Sequence, residues 1–141
     1  MTKARRKLAF FLAAITLITG LWAGLMTTHA QTTDYYFNLT VNTSDISKRT
    51  VKAGGSAYET IFYVTPTYFN RNIRYHAASF YLDTHSQYGV DITLTKAQTN
   101  QTVTGRYYIT PPSNKYYYLY GTYDAAATSG SSLYVEGRFT P

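Results

Sequence analysis

The amino-acid sequence predicts an all-β fold, an antiparallel β-sandwich of about seven to eight strands. Three observations support this class. Apolar and polar residues alternate in one segment after another, turn-forming residues separate these segments at roughly 8–12-residue spacing, and no stretch after residue 30 keeps a helical period. Since alternation places every second side chain on the same face of a strand, two sheets of this kind can bury a common core.

Residues 1–30 differ from the rest of the chain and have the features of a helical secretory signal peptide. Four of the first seven residues are basic, residues 8–26 are uncharged, and Thr28-His29-Ala30 places small residues at the positions that a signal peptidase reads. We therefore expect cleavage after Ala30 and a single β-sandwich domain over residues 31–141. The uncharged run is also close to the ~20 residues that span a bilayer, so retention as a membrane anchor is the alternative.

Charge and cysteine usage restrict the possible functions. Four of the 13 basic residues and none of the 7 acidic residues lie in the leader, so residues 31–141 carry 9 basic and 7 acidic residues and a net charge of +2. Such a small charge gives no argument for nucleic-acid binding. The absence of cysteine excludes disulfides, thiolate metal sites and cysteine nucleophiles. We expect a secreted protein, free or associated with the cell wall, that meets a membrane only through its leader before cleavage.

Four strand patterns occur in the first part of the expected domain. Residues 34–42 alternate cleanly, residues 43–48 form a polar connection, and residues 49–53 form a weak edge strand. Residues 57–65 form a stronger strand that Pro66 should end, because proline cannot donate to a strand ladder, and residues 67–72 then form a loop. Residues 73–83 form the fourth. The expected inward residues are Tyr35, Phe37, Leu39, Val41, Tyr58, Phe62, Val64, Ala78, Phe80 and Leu82.

Four more patterns follow. Residues 90–96 and 102–110 alternate on both sides of a polar loop, so we expect them to pair as a hairpin. Residues 116–123 contain five tyrosines and predict an interior strand with tyrosine on both faces. A small-residue loop then leads to the closing strand at residues 132–140. The expected inward residues of these strands are Val90, Ile92, Leu94, Val103, Tyr107, Ile109, Leu133, Val135 and Phe139.

The sequence contains no catalytic motif. It has no nucleophile elbow, glycine-rich phosphate loop or zinc signature. Asp83 and His85, with Asp91 nearby, could hold a metal or act as a base, but we favour a polar turn with a solvated histidine, because such turns commonly carry polar residues. Glu59 and Glu136 could supply the two carboxylates that a glycosidase needs, although we expect both on solvent-facing positions. We therefore predict a protein that is not an enzyme, with no catalytic residues, no cofactor and no metal site.

Tyrosine usage is the unusual feature of this chain. All 16 tyrosines lie after residue 30, whereas the single tryptophan lies in the leader. A tyrosine side chain combines a large rigid apolar surface with a hydroxyl group, which suits sugar rings and peptide partners, but aromatic residues also fill the cores of β-sandwiches. If the tyrosines form a binding face, we predict that Tyr108, Tyr117, Arg106 and Lys115 bind the ligand, the two cations meeting an anionic wall polymer.

The predicted function is non-enzymatic binding of cell-wall or surface glycan. The alternatives are interaction with a protein partner at the cell surface, an antimicrobial or bacteriocin-associated role, and self-association through residues 116–123, which have high β propensity and no charge. An exposed row of tyrosines would favour the glycan. An apolar patch or an open sheet edge would favour a protein partner.

Three segments resemble a known group of proteins. Residues 28–30, the run Lys-Tyr-Tyr-Tyr-Leu-Tyr-Gly at 115–121 and the run Leu-Tyr-Val-Glu-Gly-Arg-Phe at 133–139 are similar to small exported Gram-positive proteins that share a domain of unknown function. The resemblance covers the leader and the last third of the chain. It implies export and a compact β domain, and it implies nothing about catalysis.

Overall fold

The computed structural model describes residues 31–41, 43–52, 60–82, 86–124 and 132–141. The predicted signal peptide, Tyr58, Glu59 and the turn at Asp83 and His85 lie outside these ranges. Among the residues described, no helix is long and apolar enough to cross a membrane.

The described chain forms β-strands that are arranged as two antiparallel sheets packed face to face, which confirms the predicted all-β sandwich. A single 3₁₀ turn at Lys96–Gln98 accompanies the strands of these ranges. The strands are β1 (Thr33–Leu39), β2 (Ser44–Ile46), β3 (Thr50–Val51), β4 (Ile61–Phe69), β5 (Tyr75–Tyr81), β6 (Ser86–Gln87), β7 (Ile92–Leu94), β8 (Val103–Arg106), β9 (Tyr116–Tyr123) and β10 (Leu133–Thr140).

Sheet A contains β1, β10, β4 and β8 in that order, and all its pairs are antiparallel. β10 pairs with β1 on one side and with β4 on the other. Its side chains alternate as the sequence predicts: Leu133, Val135 and Phe139 are buried, whereas Tyr134 and Arg138 are exposed. The outer face of sheet A is therefore organised around the outward residues of β10.

The predicted end of a strand at Pro66 is wrong, because β4 continues through the proline to Phe69. Pro66 lies opposite Gly137, next to a shift in the β10–β4 register. A proline that cannot donate is tolerated at such an irregularity, and its carbonyl accepts a hydrogen bond from the Asn100 N–H at 2.7 Å. As a result, Tyr68 lies in a strand of sheet A and not in the predicted loop.

Sheet B contains β2, β9, β5 and β6 in that order, with β3 also paired to β9 and β7 to β5. The tyrosine-rich strand β9 is interior and carries tyrosines on both faces, as predicted: Tyr117 and Tyr123 point inwards, and Tyr118 and Tyr120 point outwards. The predicted polar connection at residues 43–48 is wrong at β2, which is a short strand. Its three residues are too few to show alternation, yet they pair with β9.

The predicted inner face of the strand at 73–83 is wrong. Both alternating sets of this segment are largely apolar, so alternation could not distinguish them. The inward set contains tyrosine and serine hydroxyls, but these find hydrogen-bond partners inside the sandwich, so their burial is tolerated. Leu82 lies just beyond the strand. The inward residues are Tyr75, Ala77, Ser79 and Tyr81, and the outward ones include Ala78 and Phe80.

The predicted hairpin between residues 90–96 and 102–110 does not form a continuous ladder. The Val90 N–H donates to the Arg106 carbonyl at 2.7 Å, beside an isolated antiparallel bridge between Gly89 and Tyr107, but the two strands join different sheets. β7 pairs with β5 in sheet B, whereas β8 pairs with β4 in sheet A. Leu94 is buried as expected, but Val90 and Ile109 are exposed. The 3₁₀ turn between β7 and β8 carries the chain from sheet B to sheet A. Each strand then forms its backbone hydrogen bonds with a strand that is not its neighbour in the sequence.

Hydroxyl pairs inside the core connect the two sheets. The Tyr35 and Tyr75 hydroxyls lie 2.7 Å apart, and those of Ser79 and Tyr107 lie 3.0 Å apart. Burial raises the pKa of both Tyr35 and Tyr75 well above the ordinary value. A buried hydroxyl without a partner would cost about 1–3 kcal/mol, so these pairs allow tyrosine to fill a core that contains no disulfide.

Aromatic rings pack directly on glycine backbone in this core. The ring of Phe37 in sheet A lies against Gly121 of β9, where a Cβ atom would approach it to 2.5 Å. The ring of Phe62 covers Gly105 in the same way. Since any larger residue would displace a buried ring, Gly121 sets how closely β9 approaches sheet A, whereas Gly105 leaves room for the ring of Phe62, its direct neighbour on β4 within sheet A.

Candidate functional site

The outer face of sheet A presents aromatic and polar side chains in rows that cross two or three strands. Each row passes through one outward residue of β10, and successive outward residues of a strand lie about 7 Å apart. The rows therefore form a continuous surface along β10. They are Tyr36, Glu136 and Tyr68; then Asp34, Arg138 and Thr65; then Thr140 and Tyr63.

Three exposed tyrosines surround one carboxylate on this face. Glu136 is the direct cross-strand neighbour of Tyr36 on β1 and of Tyr68 on β4. Tyr134 lies two residues earlier on β10, and its ring centroid is 6.2 Å from that of Tyr68. The exposed fractions of Tyr36, Tyr68 and Tyr134 are 54%, 48% and 36%. We name these four residues the tyrosine–glutamate cluster.

The Glu136 carboxylate is oriented by Tyr134. The Tyr134 hydroxyl donates to Oε1 of Glu136 at 2.9 Å. This hydrogen bond raises the pKa of Tyr134 above its ordinary value, with smaller contributions from local burial and from the charge of Glu136. The phenol therefore remains a donor at neutral pH. Within the described ranges, Oε2 of Glu136 has no hydrogen-bond donor, so it is available to a ligand.

A cleft of about 250 Å³ adjoins this cluster along β10. Two pairs of threonine hydroxyls border it: Thr65 and Thr102 at 2.9 Å, and Thr32 and Thr140 at 2.8 Å. In each pair one hydroxyl donates to the other, whose own hydrogen remains free to donate to a ligand. We name it the threonine cleft. It is lined by Thr32, Tyr63, Thr65, Thr102, Arg138 and Thr140.

The turn after β4 is fixed to β10, which holds the tyrosine rings in place. The Tyr134 N–H donates to the Asn70 side-chain oxygen at 2.9 Å, and the Asn70 N–H donates to the Tyr134 carbonyl at 3.1 Å. These two bonds continue the β10–β4 ladder beyond Phe69. They fix the backbone that carries Tyr68 relative to Tyr134, so the surface is preorganised.

Of the four residues that the sequence suggested as a binding site, three are exposed and one is buried. Tyr117 is fully buried in β9 and donates its hydroxyl to the Pro112 carbonyl at 3.0 Å, so its ring offers no surface to a glycan. Arg106 is exposed on β8, and Tyr108 follows that strand with an exposed fraction of 62%. Lys115 is exposed but precedes β9 in sheet B. A binding role for Arg106, Tyr108 and Lys115 stays a prediction.

Sequence reasoning missed the cluster although parts of its signal were present. Alternation placed Tyr36, Tyr134 and Glu136 on outward positions, and the structure places them there. Tyr68 was assigned to a loop because of the preceding proline. Only the strand order, which brings β1 and β4 to either side of β10, shows that these residues are neighbours.

The outer face of sheet B also carries aromatic residues, but they pack on one another. The Phe80 ring centroid lies 5.6 Å from that of Tyr118 and 5.0 Å from that of Tyr120. Tyr118 is only 8% exposed, although it points away from the core. Ile46 and Tyr116 at the margin of this group remain exposed. We name these five residues the sheet B aromatic patch.

A histidine and a carboxylate meet at one end of sheet B. The His76 Nε2 atom lies 3.6 Å from Oδ2 of Asp124, and Nδ1 lies 3.1 Å from the Thr93 hydroxyl. This hydroxyl–imidazole–carboxylate order occurs in hydrolases. Here Arg74 forms an ion pair with the buried Asp124, so the carboxylate also ties the start of β5 to the end of β9. A structural role explains these three contacts.

No three histidine, aspartate or glutamate side chains of the described ranges are grouped so that they could hold a metal ion. Comparisons with protein-family models, with curated proteins and with solved structures gave no match. The resemblance to small exported Gram-positive proteins therefore stays a prediction.

Proposed function

We propose that this protein is an exported, non-enzymatic module that binds cell-wall or surface glycan through the outer face of sheet A. The observation that supports this most directly is the tyrosine–glutamate cluster, in which three exposed rings lie on one face beside the hydroxyl-lined threonine cleft. An exposed group of tyrosines is what separates a glycan-binding surface from tyrosines that only fill a core.

The chemistry of the two neighbouring regions matches that of a sugar chain. A sugar ring has an apolar face that packs on an aromatic ring and hydroxyl groups that exchange hydrogen bonds. Tyr36 and Tyr68 offer the aromatic surface, and their two rotatable side-chain angles cost little entropy on binding. Arg138 and the threonine pairs offer donors about 7 Å further along β10. One ligand of several sugars can contact both regions.

A sedimentation assay with whole insoluble cell walls tests the proposal. The purified protein, the double variant Tyr36→Ala/Tyr68→Ala and the control Tyr116→Ala are incubated with walls over a series of salt concentrations. Tyr116 is the matched control because it has a similar exposed fraction, 44%, but lies on sheet B. We expect the wild type and the control to be retained at high salt, and the double variant to lose roughly 10–100-fold in affinity, since about 1.4 kcal/mol corresponds to tenfold.

Two outcomes would contradict the proposal. Retention that disappears at modest salt would indicate electrostatic adsorption, because stacking on tyrosine is not screened by ions. Equal retention of the double variant and the wild type would place the binding surface elsewhere, with Arg106 and Tyr108 as the next candidates. Circular dichroism of each variant provides the folding control.

A protein partner is the second candidate function, and the sheet B aromatic patch favours it. Ile46 and Tyr116 are exposed beside stacked rings, a combination that is common at the centre of protein interfaces. Ile46→Asp introduces a charge into this patch. If a surface protein binds here, this variant should lose the partner in a cross-linking experiment on intact cells while keeping its retention on walls.

A further inference from the structure

The Glu136 carboxylate lies at the centre of the tyrosine–glutamate cluster, with no basic side chain of the described residues within ion-pair distance of it. Tyr36 and Tyr68 flank it, and the Tyr134 hydroxyl binds one of its oxygens. Arg138 is the nearest outward cation on the same strand, about 7 Å further along β10, and it lines the threonine cleft. The charge of Glu136 is thus directed towards the tyrosine rings and solvent.

The four groups of the cluster favour the same kind of ligand. A carboxylate attracts a cation, and the negative faces of tyrosine rings attract a cation as well. Neither group favours an anion. We propose that the tyrosine–glutamate cluster selects glycans that carry a free ammonium group, such as an unacetylated amino sugar. This inference rests on the proposed function, since it specifies the glycan that the same face would bind.

An anionic ligand at Arg138 is the competing choice, and the structure favours it less. Asp34 is the direct cross-strand neighbour of Arg138 on the outer face, so a residue of negative charge occupies the position next to Arg138 on β1. Arg138 also faces hydroxyl groups, which bind neutral sugar hydroxyls as readily as anions. Glu136 has no such opposing charge among its direct neighbours, which are both tyrosines.

The net positive charge of residues 31–141 does not by itself favour a glycan that carries ammonium groups. Residues 31–141 carry 9 basic and 7 acidic residues, so the domain as a whole repels a polycation weakly. Any preference for a cationic glycan must therefore come from a local site. Acetylation of the amine removes the positive charge and leaves the sugar rings unchanged, which gives a closely matched pair of ligands.

The test compares glucosamine oligomers with N-acetylglucosamine oligomers of the same length, with binding to the purified protein measured by calorimetry. We expect the wild type to bind the glucosamine oligomer at least about tenfold more tightly. Glu136→Gln keeps an acceptor for the Tyr134 hydroxyl but removes the charge. It should bind both oligomers with affinities within about twofold of each other, because stacking on the tyrosines is retained.

Asp34→Asn is the matched control, because it removes one negative charge from the same sheet face outside the cluster. This variant should keep the wild-type preference. Equal loss of preference in both variants would indicate general electrostatics and overturn the inference. An unchanged preference in Glu136→Gln would overturn it as well.

Two further outcomes separate the inference from the proposed function. If the wild type binds both oligomers equally and Tyr68→Ala abolishes both, the ammonium selectivity is wrong while glycan binding stands. If neither oligomer binds, and the protein is not retained on cell walls either, the proposed function and this inference both fail. An oligolysine peptide of equal charge that competes as well as the glucosamine oligomer would overturn the assignment of the ligand as a glycan.

Discussion

The outer faces of the two sheets use the same residue type in opposite ways. On sheet A, Tyr36 and Tyr68 stand on either side of a carboxylate and keep about half of their surface exposed. On sheet B, the rings of Tyr118 and Tyr120 pack against the ring of Phe80. Tyr118 loses nearly all of its exposed surface as a result.

The difference shows that the neighbours of an outward tyrosine decide its role. On sheet B, Tyr118 and Tyr120 both pack on the Phe80 ring of the adjacent strand, at 5.6 Å and 5.0 Å, and so help to stabilise the sheet. A tyrosine that lies beside a charged or hydroxyl-bearing side chain stays accessible, because burying that neighbour would cost more than the contact would gain. The content of tyrosine alone therefore does not locate a binding surface in this chain.

The largest expected loss of stability is that of a tyrosine in the core, in contrast to the tyrosines on either outer face. Tyr117 is fully buried, and its ring packs against Tyr107 and Tyr81 in the core. Tyr117→Ala should lower the free energy of unfolding by about 3–5 kcal/mol, through lost burial and the cavity left behind. Urea denaturation followed by circular dichroism measures this. A loss below about 1 kcal/mol would mean that the ring is not part of the core.

Alkaline pH should destabilise the protein through the buried pair Tyr35 and Tyr75. Burial raises the pKa of both groups above about 10, so the folded state holds protons that the unfolded chain releases. Their contribution to stability is therefore complete below about pH 10 and is lost as the pH rises further, by up to about 1.4 kcal/mol per pH unit for each tyrosine.

Urea midpoints measured from about pH 8 to pH 11 test this expectation, because they span the ordinary pKa of tyrosine. The double variant Tyr35→Phe/Tyr75→Phe should show a clearly smaller loss of stability with pH than the wild type. Identical slopes for the two proteins would show that the pair does not control alkaline unfolding.

A third prediction tests the two outer faces directly. Tyr118→Ala on sheet B should cost about 2 kcal/mol, since it removes a nearly buried ring that stacks on Phe80. Tyr36→Ala on sheet A should change stability by less than about 0.5 kcal/mol. Thermal or urea unfolding of the two variants gives the comparison. Equal costs would remove the distinction between a packed face and an open one.

The smallest effect concerns the orientation of the carboxylate. Tyr134→Phe keeps the ring and removes the hydroxyl that binds Oε1 of Glu136. The fold should be unaffected, but affinity for a cell-wall glycan should fall by about threefold, because Glu136 must then be ordered on binding. Binding isotherms with the wild type measure this. A larger loss, comparable to that of Tyr68→Ala, would show that the hydroxyl contacts the ligand itself.

Much of the sandwich could be predicted from alternation. β1 and β10 have clear period-two patterns, and the structure confirms their inward and outward residues, while β9 is an interior strand with tyrosine on both faces as predicted. Alternation failed where both faces are apolar, as at Ala78 and Phe80, because it then carries no information on which face is buried. It also failed at Pro66, since the register shift opposite Gly137 that accommodates a proline depends on the partner strand.

The candidate site was less predictable for a physical reason. Tyr36, Tyr68 and Glu136 lie far apart in the sequence and become neighbours only through the order of strands in sheet A. The sequence contains no signal for that order. It favoured the densest tyrosine run instead, and within that run the inward Tyr117 serves the core.

The most direct test of the proposed binding face is a residue-by-residue map of glycan binding. Backbone amide chemical shifts of the isotope-labelled protein are recorded while soluble fragments of cell-wall glycan are added. We expect the shift changes to cluster on β1, β10 and β4, around Tyr36, Glu136 and Tyr68, and to extend to the threonine cleft. Shift changes confined to β9 and β5 of sheet B, or no changes at saturating glycan, would contradict the account.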